Sequence, residues 1–90
     1  DIDQLNGNLH FVFYDRRNHS DTKTDVYWAK TTNGGESFTN TRISGSPFDP
    51  TGARFFGDYN NISVFNGVIR PIWTRHENGA QSIWTAIIDE

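Results

Sequence analysis

The chain has 90 residues, 11 acidic and 8 basic side chains for a net charge of −3, no Cys, no Met, and three Trp, three Tyr and seven Phe. The absence of Cys excludes disulfides and thiolate chemistry, and the scattered charge, with no basic cluster, excludes the Lys/Arg face that a nucleic-acid partner requires. No apolar run approaches the roughly 20 residues that cross a bilayer, so no membrane span is expected.

Six stretches rich in β-branched and aromatic residues, each bounded by Gly, Asn, Asp or Pro, predict an all-β fold in chain order. They are Asn8 to Asp15, Thr24 to Thr31, Ser37 to Ser44, Asn61 to Phe65, Val68 to Arg75 and Gln81 to Ile88, and a short strand is expected near Ile2 to Leu5. Asn6-Gly7 and Asn66-Gly67 lie between apolar stretches and predict two-residue type I′ hairpins, since both residues tolerate the positive φ such turns need. Pro71 falls inside a predicted strand and must occupy an edge, a bulge or a position whose N–H is not used. No window has a helical period. Ninety residues make one small domain with a thin core carried by a few large rings. A chain without Met that starts Asp-Ile-Asp is expected to be a processed product or an excised piece.

The order turn, strand, loop, Trp-bearing strand occurs twice, about 60 residues apart. Phe13-Tyr14-Asp15-Arg16 and Val26-Tyr27-Trp28-Ala29 follow the first Asn-Gly; Ile72-Trp73-Thr74-Arg75 and Ser82-Ile83-Trp84-Thr85 follow the second. Repeats of this kind signal radial or stacked architectures, among them the β-propeller with its four-stranded antiparallel blades. The chain divides accordingly into a first blade over 1–44, an inter-blade loop over 45–60 and a second, incomplete blade over 61–90. Two blades do not close a ring, so the remaining blades or self-association are expected partners.

Thr31-Thr32-Asn33-Gly34-Gly35-Glu36-Ser37-Phe38 resembles the Asp-box, or bacterial neuraminidase repeat, of pattern Ser/Thr, any, Asp, any, Gly, any, Thr/Ser, Trp/Phe. Thr31, Gly35, Ser37 and Phe38 match. Asn33 departs, keeping an acceptor oxygen for the turn's amides but not the charge. The wider segment, including "FFGDYNNISVFNGVIRPIWTR", is similar to the sialidase-like propellers of secreted bacterial proteins, often six-bladed. The resemblance implies a secreted, cell-surface or periplasmic protein that binds or hydrolyses glycans, sialylated ones among them, and needs no cofactor. It implies a fold more specifically than an activity, since Asp-boxes also occur in propellers without catalysis. The alternative is a non-catalytic propeller module that binds glycan or protein.

Antiparallel connections place Asn6-Gly7, the Asp-box turn and Asn66-Gly67 at one end of the blades and the longer loops, Asp15 to Lys23, Gly45 to Asn60 and Arg75 to Ala80, at the other. Long loops on a rigid scaffold are where function concentrates. Arg16, Arg17, Arg54 and Arg75 lie there and suit a carboxylate clamp, because the guanidinium fork pairs with carboxylates bidentately. Asp58 and Tyr59 enter an innermost strand near the expected channel mouth. Each also has a plainer reading, as a solvated or loop-pairing side chain. Sialidases resemble one another in an arginine cluster, a Tyr nucleophile helped by Glu, and an Asp acid, and they depart from the two-carboxylate pattern of other glycosidases. The Phe/Tyr-Arg-Ile-Pro element of that family is absent, and "VIRPIW" does not give Arg70 its role. No catalytic residue is assigned, and the chain alone is not expected to be an enzyme.

Asp15, Asn18, Asp21 and Asp25 offer oxygen ligands without the glycine and terminal Glu of a calcium loop. His10, His19 and His76 lack zinc spacing, so no metal is expected. One of Tyr27 and Trp28, with Phe38, Trp73 and Trp84, is expected between sheets, while Arg16, His19, Arg75 and His76 are expected at the surface.

Overall fold

The computed structural model describes residues 1–51, 60–77 and 80–90. Among them there is no helix; seven strands form two antiparallel sheets. In the first sheet, β1 (Leu9–Asp15), β2 (Asp25–Thr31) and β3 (Thr39–Arg42) lie in sequence order. In the second, β4 (Asn61–Phe65), β5 (Val68–Glu77) and β6 (Ala80–Thr85) do the same, and β7 (Ile88–Asp89) pairs with β5. The predicted first strand is reduced to one bridge, Ile2 to Leu9.

The two Asn-Gly turns differ. Asn66 and Gly67 have φ of 50° and 74° and link the pair Phe65 and Val68, which is the expected two-residue hairpin. Asn6-Gly7 is not one, because only Gly7 has positive φ and the loop is wider. The Asp3 carbonyl accepts from Asn6 N and Gly7 N, while Asp3 N donates to Asn8 O. Its carboxylate accepts from Leu5 N and reaches across to the other sheet, where Asn66 N and Gly67 N donate to it at 3.0 and 2.8 Å. Asp1 Oδ2 accepts from Val64 N on the outer edge of β4. The N-terminal segment thereby ties the edge of one sheet to the first strand of the other.

Pro71 sits in the central strand of its sheet, and pairing parity explains how. Hydrogen-bonded pairs alternate along an antiparallel ladder; counting from the Phe65–Val68 pair, the nitrogen of Pro71 faces away from β4 and toward β6 and β7. On that side, Ile72 pairs with Thr85 and Ile69 with Ile88, one continuous register interrupted opposite Arg70 and Pro71. Strands β6 and β7 are therefore a single row, broken where proline has no N–H to give. Thr85 Oγ1 donates to the Pro71 carbonyl at 2.6 Å and bridges the gap.

Side chains alternate across each sheet. The face of the first sheet that carries Val12, Tyr14 and Val26 packs on Trp73 and Ala86 of the second, with Phe48 from the connecting segment between them. The Tyr14 hydroxyl donates to Thr74 O and accepts from Thr74 N, at 2.9 and 3.0 Å, beyond the last described β4–β5 pair at Ile72.

Ladder pairing also corrects the repeat by one residue. Phe13 pairs with Tyr27 and Trp73 with Trp84, and each aromatic pair has a guanidinium nearby: Arg17 lies 4.2 Å from the Tyr27 centroid and Arg75 5.5 Å from that of Trp84. Phe13 thus corresponds to Trp73, as the spacing from Gly7 and Gly67 also requires, and the Tyr14–Trp73 correspondence is replaced. A one-residue shift exchanges the faces. With this register the sheets pack head to tail: the Tyr14 face of the first covers the face of the second that corresponds to Phe13 and Tyr27.

Burial follows from that stacking. Trp73 is buried between the sheets, and Trp28, half-buried, shares the packed face with Val12 and Val26; Tyr27 is buried on the opposite face, covered by Phe13, Arg17 and Asn18 rather than by a sheet. Phe38 and Trp84, expected inside, are about half exposed at 48% and 47%: Phe38 lies against Phe11 on the outer face of the first sheet, and Trp84, on the same face as Trp73, stands on the edge strand β6. Arg75, expected at the surface, is buried at 5%, while His19 and His76 are half-buried.

His10 is fully buried and stacks on the Trp28 indole, whose Nε1–H it accepts on Nδ1 at 3.0 Å. Burial pushes its pKa below the ordinary value. Its folded form is neutral where the unfolded chain would begin to take up a proton, so stability is full above the unfolded value of about 6.5 and falls as pH drops below it. Asp3 is held low mainly by the Gly67 amide, so its contribution is full above about 3.9 and is lost only as pH falls through its depressed value. Urea midpoints between pH 8 and 3 are expected to decline in two stages, and His10→Gln to remove the upper one. A midpoint independent of pH from 7.5 to 5 would contradict the neutral, buried His10.

Candidate functional site

The turn between β2 and β3 closes by side chains. Thr31 Oγ1 accepts from Gly35 N at 3.0 Å and donates to Asn33 Oδ1 at 2.8 Å. Asn33 Oδ1 also accepts from Ser37 N at 3.0 Å, and Asn33 Nδ2 donates to Ser37 Oγ at 2.7 Å. Gly34 and Gly35 take φ of 72° and 96°. A Cβ at Gly35 would meet only Phe38, at an ordinary 3.9 Å, so its demand is conformational rather than steric. Gly35→Val is expected to cost about 1–3 kcal/mol, and an unchanged melting temperature would remove the structural role of this turn.

The opposite end carries the long connections, held down by polar locks. Buried Asp25 accepts from Ser44 Oγ at 3.2 Å and contacts His19 Nε2 at 2.9 Å, fixing the β1–β2 loop to β2. Thr24 and Phe48 exchange backbone hydrogen bonds of 2.7 and 3.0 Å, which pins the segment after β3 beside β2.

The arginines there differ in how free they are. Arg75 Nη1 donates to Ser46 O at 2.8 Å, Nη2 to Ser46 Oγ and Pro47 O at 2.9 and 3.2 Å, and Nε to Glu77 Oε2 at 3.1 Å. Its guanidinium lies 5.2 Å from the Phe48 ring centroid. It is a buried strut between β5 and the 46–48 segment. Arg17 pairs with Asp15 at 2.8 Å and lies over Tyr27; that guanidinium holds the Asp15 carboxyl below the usual range. Arg16 is exposed, with Nε 3.4 Å from Thr24 Oγ1; the Asp49 carboxyl is held low first by hydrogen bonds from Thr51, and the charge of Arg16 adds to that effect. It lines a depression of about 410 Å³ with Tyr14, Asp15, Thr24 and Pro50. Arg54, Asp58 and Tyr59 lie outside the described residues.

Asp15 and Asp25 stand opposite each other at the end of the β1–β2 ladder, but Asn18 and Asp21 turn to other partners. Asn18 Nδ2 donates to the Tyr27 hydroxyl, Asp21 accepts from Lys23 N, and the other two are paired as described. Among the described residues no group of three or more His, Asp or Glu could hold a metal ion, and none of the helices needed to cross a membrane occurs.

The part played by Asp3 and by Ser44 was not legible in the sequence, because each works on backbone amides or carboxylates far along the chain. Comparison with known proteins finds no matching family model, no matching curated protein and no matching solved structure.

Proposed function

We propose that this chain supplies two neighbouring blades of a sialidase-like β-propeller and contributes to a glycan-binding face at the end where the long loops meet. The head-to-tail stacking of the two sheets carries the reading, since it is the relation that successive blades of a ring need. The closed Thr31, Asn33, Gly35, Ser37 network supports the Asp-box resemblance, with Asn33 serving the turn without a charge.

Binding is favoured over catalysis as the task of these residues. Of the candidate arginines, Arg75 and Arg17 are spent on protein partners, while Arg16 is exposed beside the depression and could turn to a sugar carboxylate. Asp58 and Tyr59 remain candidate ligand-binding residues of the same face, and no residue is assigned to catalysis. A secreted or periplasmic setting goes with this proposal. Saturation-transfer NMR with α2,3-sialyllactose and with lactose tests it: transfer to the sialic acid that Arg16→Ala abolishes is the expected result. No transfer to the sialic acid, or transfer to it that Arg16→Ala leaves unchanged, would overturn the acidic-glycan reading.

A further inference from the structure

A second, smaller cavity of about 150 Å³ lies where the two sheets meet the 44–46 segment, lined by Ser44, Gly45, Ser46, Trp73, Arg75, Glu77 and Trp84. Trp73 is 3% exposed, yet its indole N–H has no acceptor among the described residues. A buried donor without an acceptor is rare and calls for an explanation. Trp73 lines this cavity, and an occupant that accepts a hydrogen bond would satisfy that donor.

The remaining lining restricts the chemistry further. Arg75 and Glu77 are paired with each other, so the wall offers no uncompensated charge to an anion or a cation. Ser46 Oγ accepts from Arg75 and keeps its own proton to donate. Trp84 stands at the rim, 47% exposed, and its N–H is used internally on Ser82 Oγ at 2.7 Å. It presents an apolar ring surface rather than a donor. A neutral group that carries oxygen acceptors on one edge and an apolar C–H face on the other fits this combination, and a pyranose ring has both. The volume admits one sugar edge and excludes an enclosed oligosaccharide.

We infer that the cavity between Trp73 and Trp84 is a subsite for a single neutral pyranose, with a hydroxyl accepting from Trp73 Nε1 and the sugar's C–H face on Trp84. This site stands apart from the Arg16 depression and does not depend on recognition of a sialic acid carboxylate.

Labelling with 5-fluorotryptophan gives three ¹⁹F signals, one for each tryptophan, which single Trp→Phe variants assign. Titration with methyl β-D-glucopyranoside is expected to move the Trp73 and Trp84 signals saturably. Trp28, whose N–H is held by His10, should stay fixed. Trp84→Ala removes an exposed ring without opening the core, and should weaken the sugar's effect on Trp73 roughly tenfold. Arg16→Ala should leave it unchanged, which separates failure of this site from failure of the sialoside site. Signals that stay still to the solubility limit of the sugar, a uniform linear drift of all three, or an undiminished response in Trp84→Ala would each overturn the assignment.

Discussion

Replacing Arg75 with Ala is expected to destabilise the chain by about 2–4 kcal/mol. The side chain is buried, and its loss leaves the Ser46 and Pro47 carbonyls and the Ser46 hydroxyl without their donor. It also removes the guanidinium from beside Phe48 and Trp84. The contact with Glu77 adds little, because that carboxylate is half exposed and screened by water. Arg75→Lys keeps the charge but not the planar fork that reaches two carbonyls and a hydroxyl together, so it should recover less than half of the loss. Urea unfolding at one fixed protein concentration measures both. Wild-type stability in Arg75→Ala would mean that the strut between β5 and the 46–48 segment does not hold the sheets together.

Tyr14→Phe is expected to cost about 1–3 kcal/mol, an effect out of proportion to one oxygen atom. The hydroxyl serves both the N–H and the C=O of Thr74, in a position where a strand neighbour would otherwise pair. The ring itself remains and still packs edge-on to Phe48, at a centroid distance of 6.1 Å. Hydrogen exchange should show the Thr74 amide losing protection while the Trp73 and Trp84 amides keep theirs. An unaltered Thr74 amide would contradict this inter-sheet bond.

Much of this fold was legible in residue patterns, for reasons that are local. The Asn66-Gly67 hairpin, the alternating stretches of β1 and β2 and the Gly34-Gly35 turn are set by backbone conformations and side-chain alternation within a few residues. Asn6-Gly7 misled because Asp3 captures the turn's amides through its own carbonyl and so widens the loop. Arg75 misled for a similar reason. Its surroundings in sequence are polar, while its partners at 46 and 47 lie about thirty residues away and reach it only once the sheets stack. The repeat was visible, but its register was not, since a shift of one residue keeps the composition and exchanges the faces. The pairing of Phe13 with Tyr27 and of Trp73 with Trp84 fixes it, in agreement with the equal spacing of Phe13 from Gly7 and of Trp73 from Gly67.

The same stacking leaves two outer faces open. One carries Phe11 and Phe38, in edge contact at 6.0 Å; the other carries Phe65, Val68, Ile72 and Ile83, exposed by 43 to 67%. Head-to-tail packing makes these faces complementary in kind, so each corresponds to a surface already buried inside the chain. Apolar sheet faces of this type drive association. Analytical ultracentrifugation of the ninety-residue chain at micromolar concentration tests the blade-pair account most directly. The account predicts concentration-dependent assembly that Ile83→Lys, on one outer face, weakens without unfolding the chain. A compact, stable monomer with wild-type and variant sedimenting alike would contradict it and would indicate a self-contained β-sandwich.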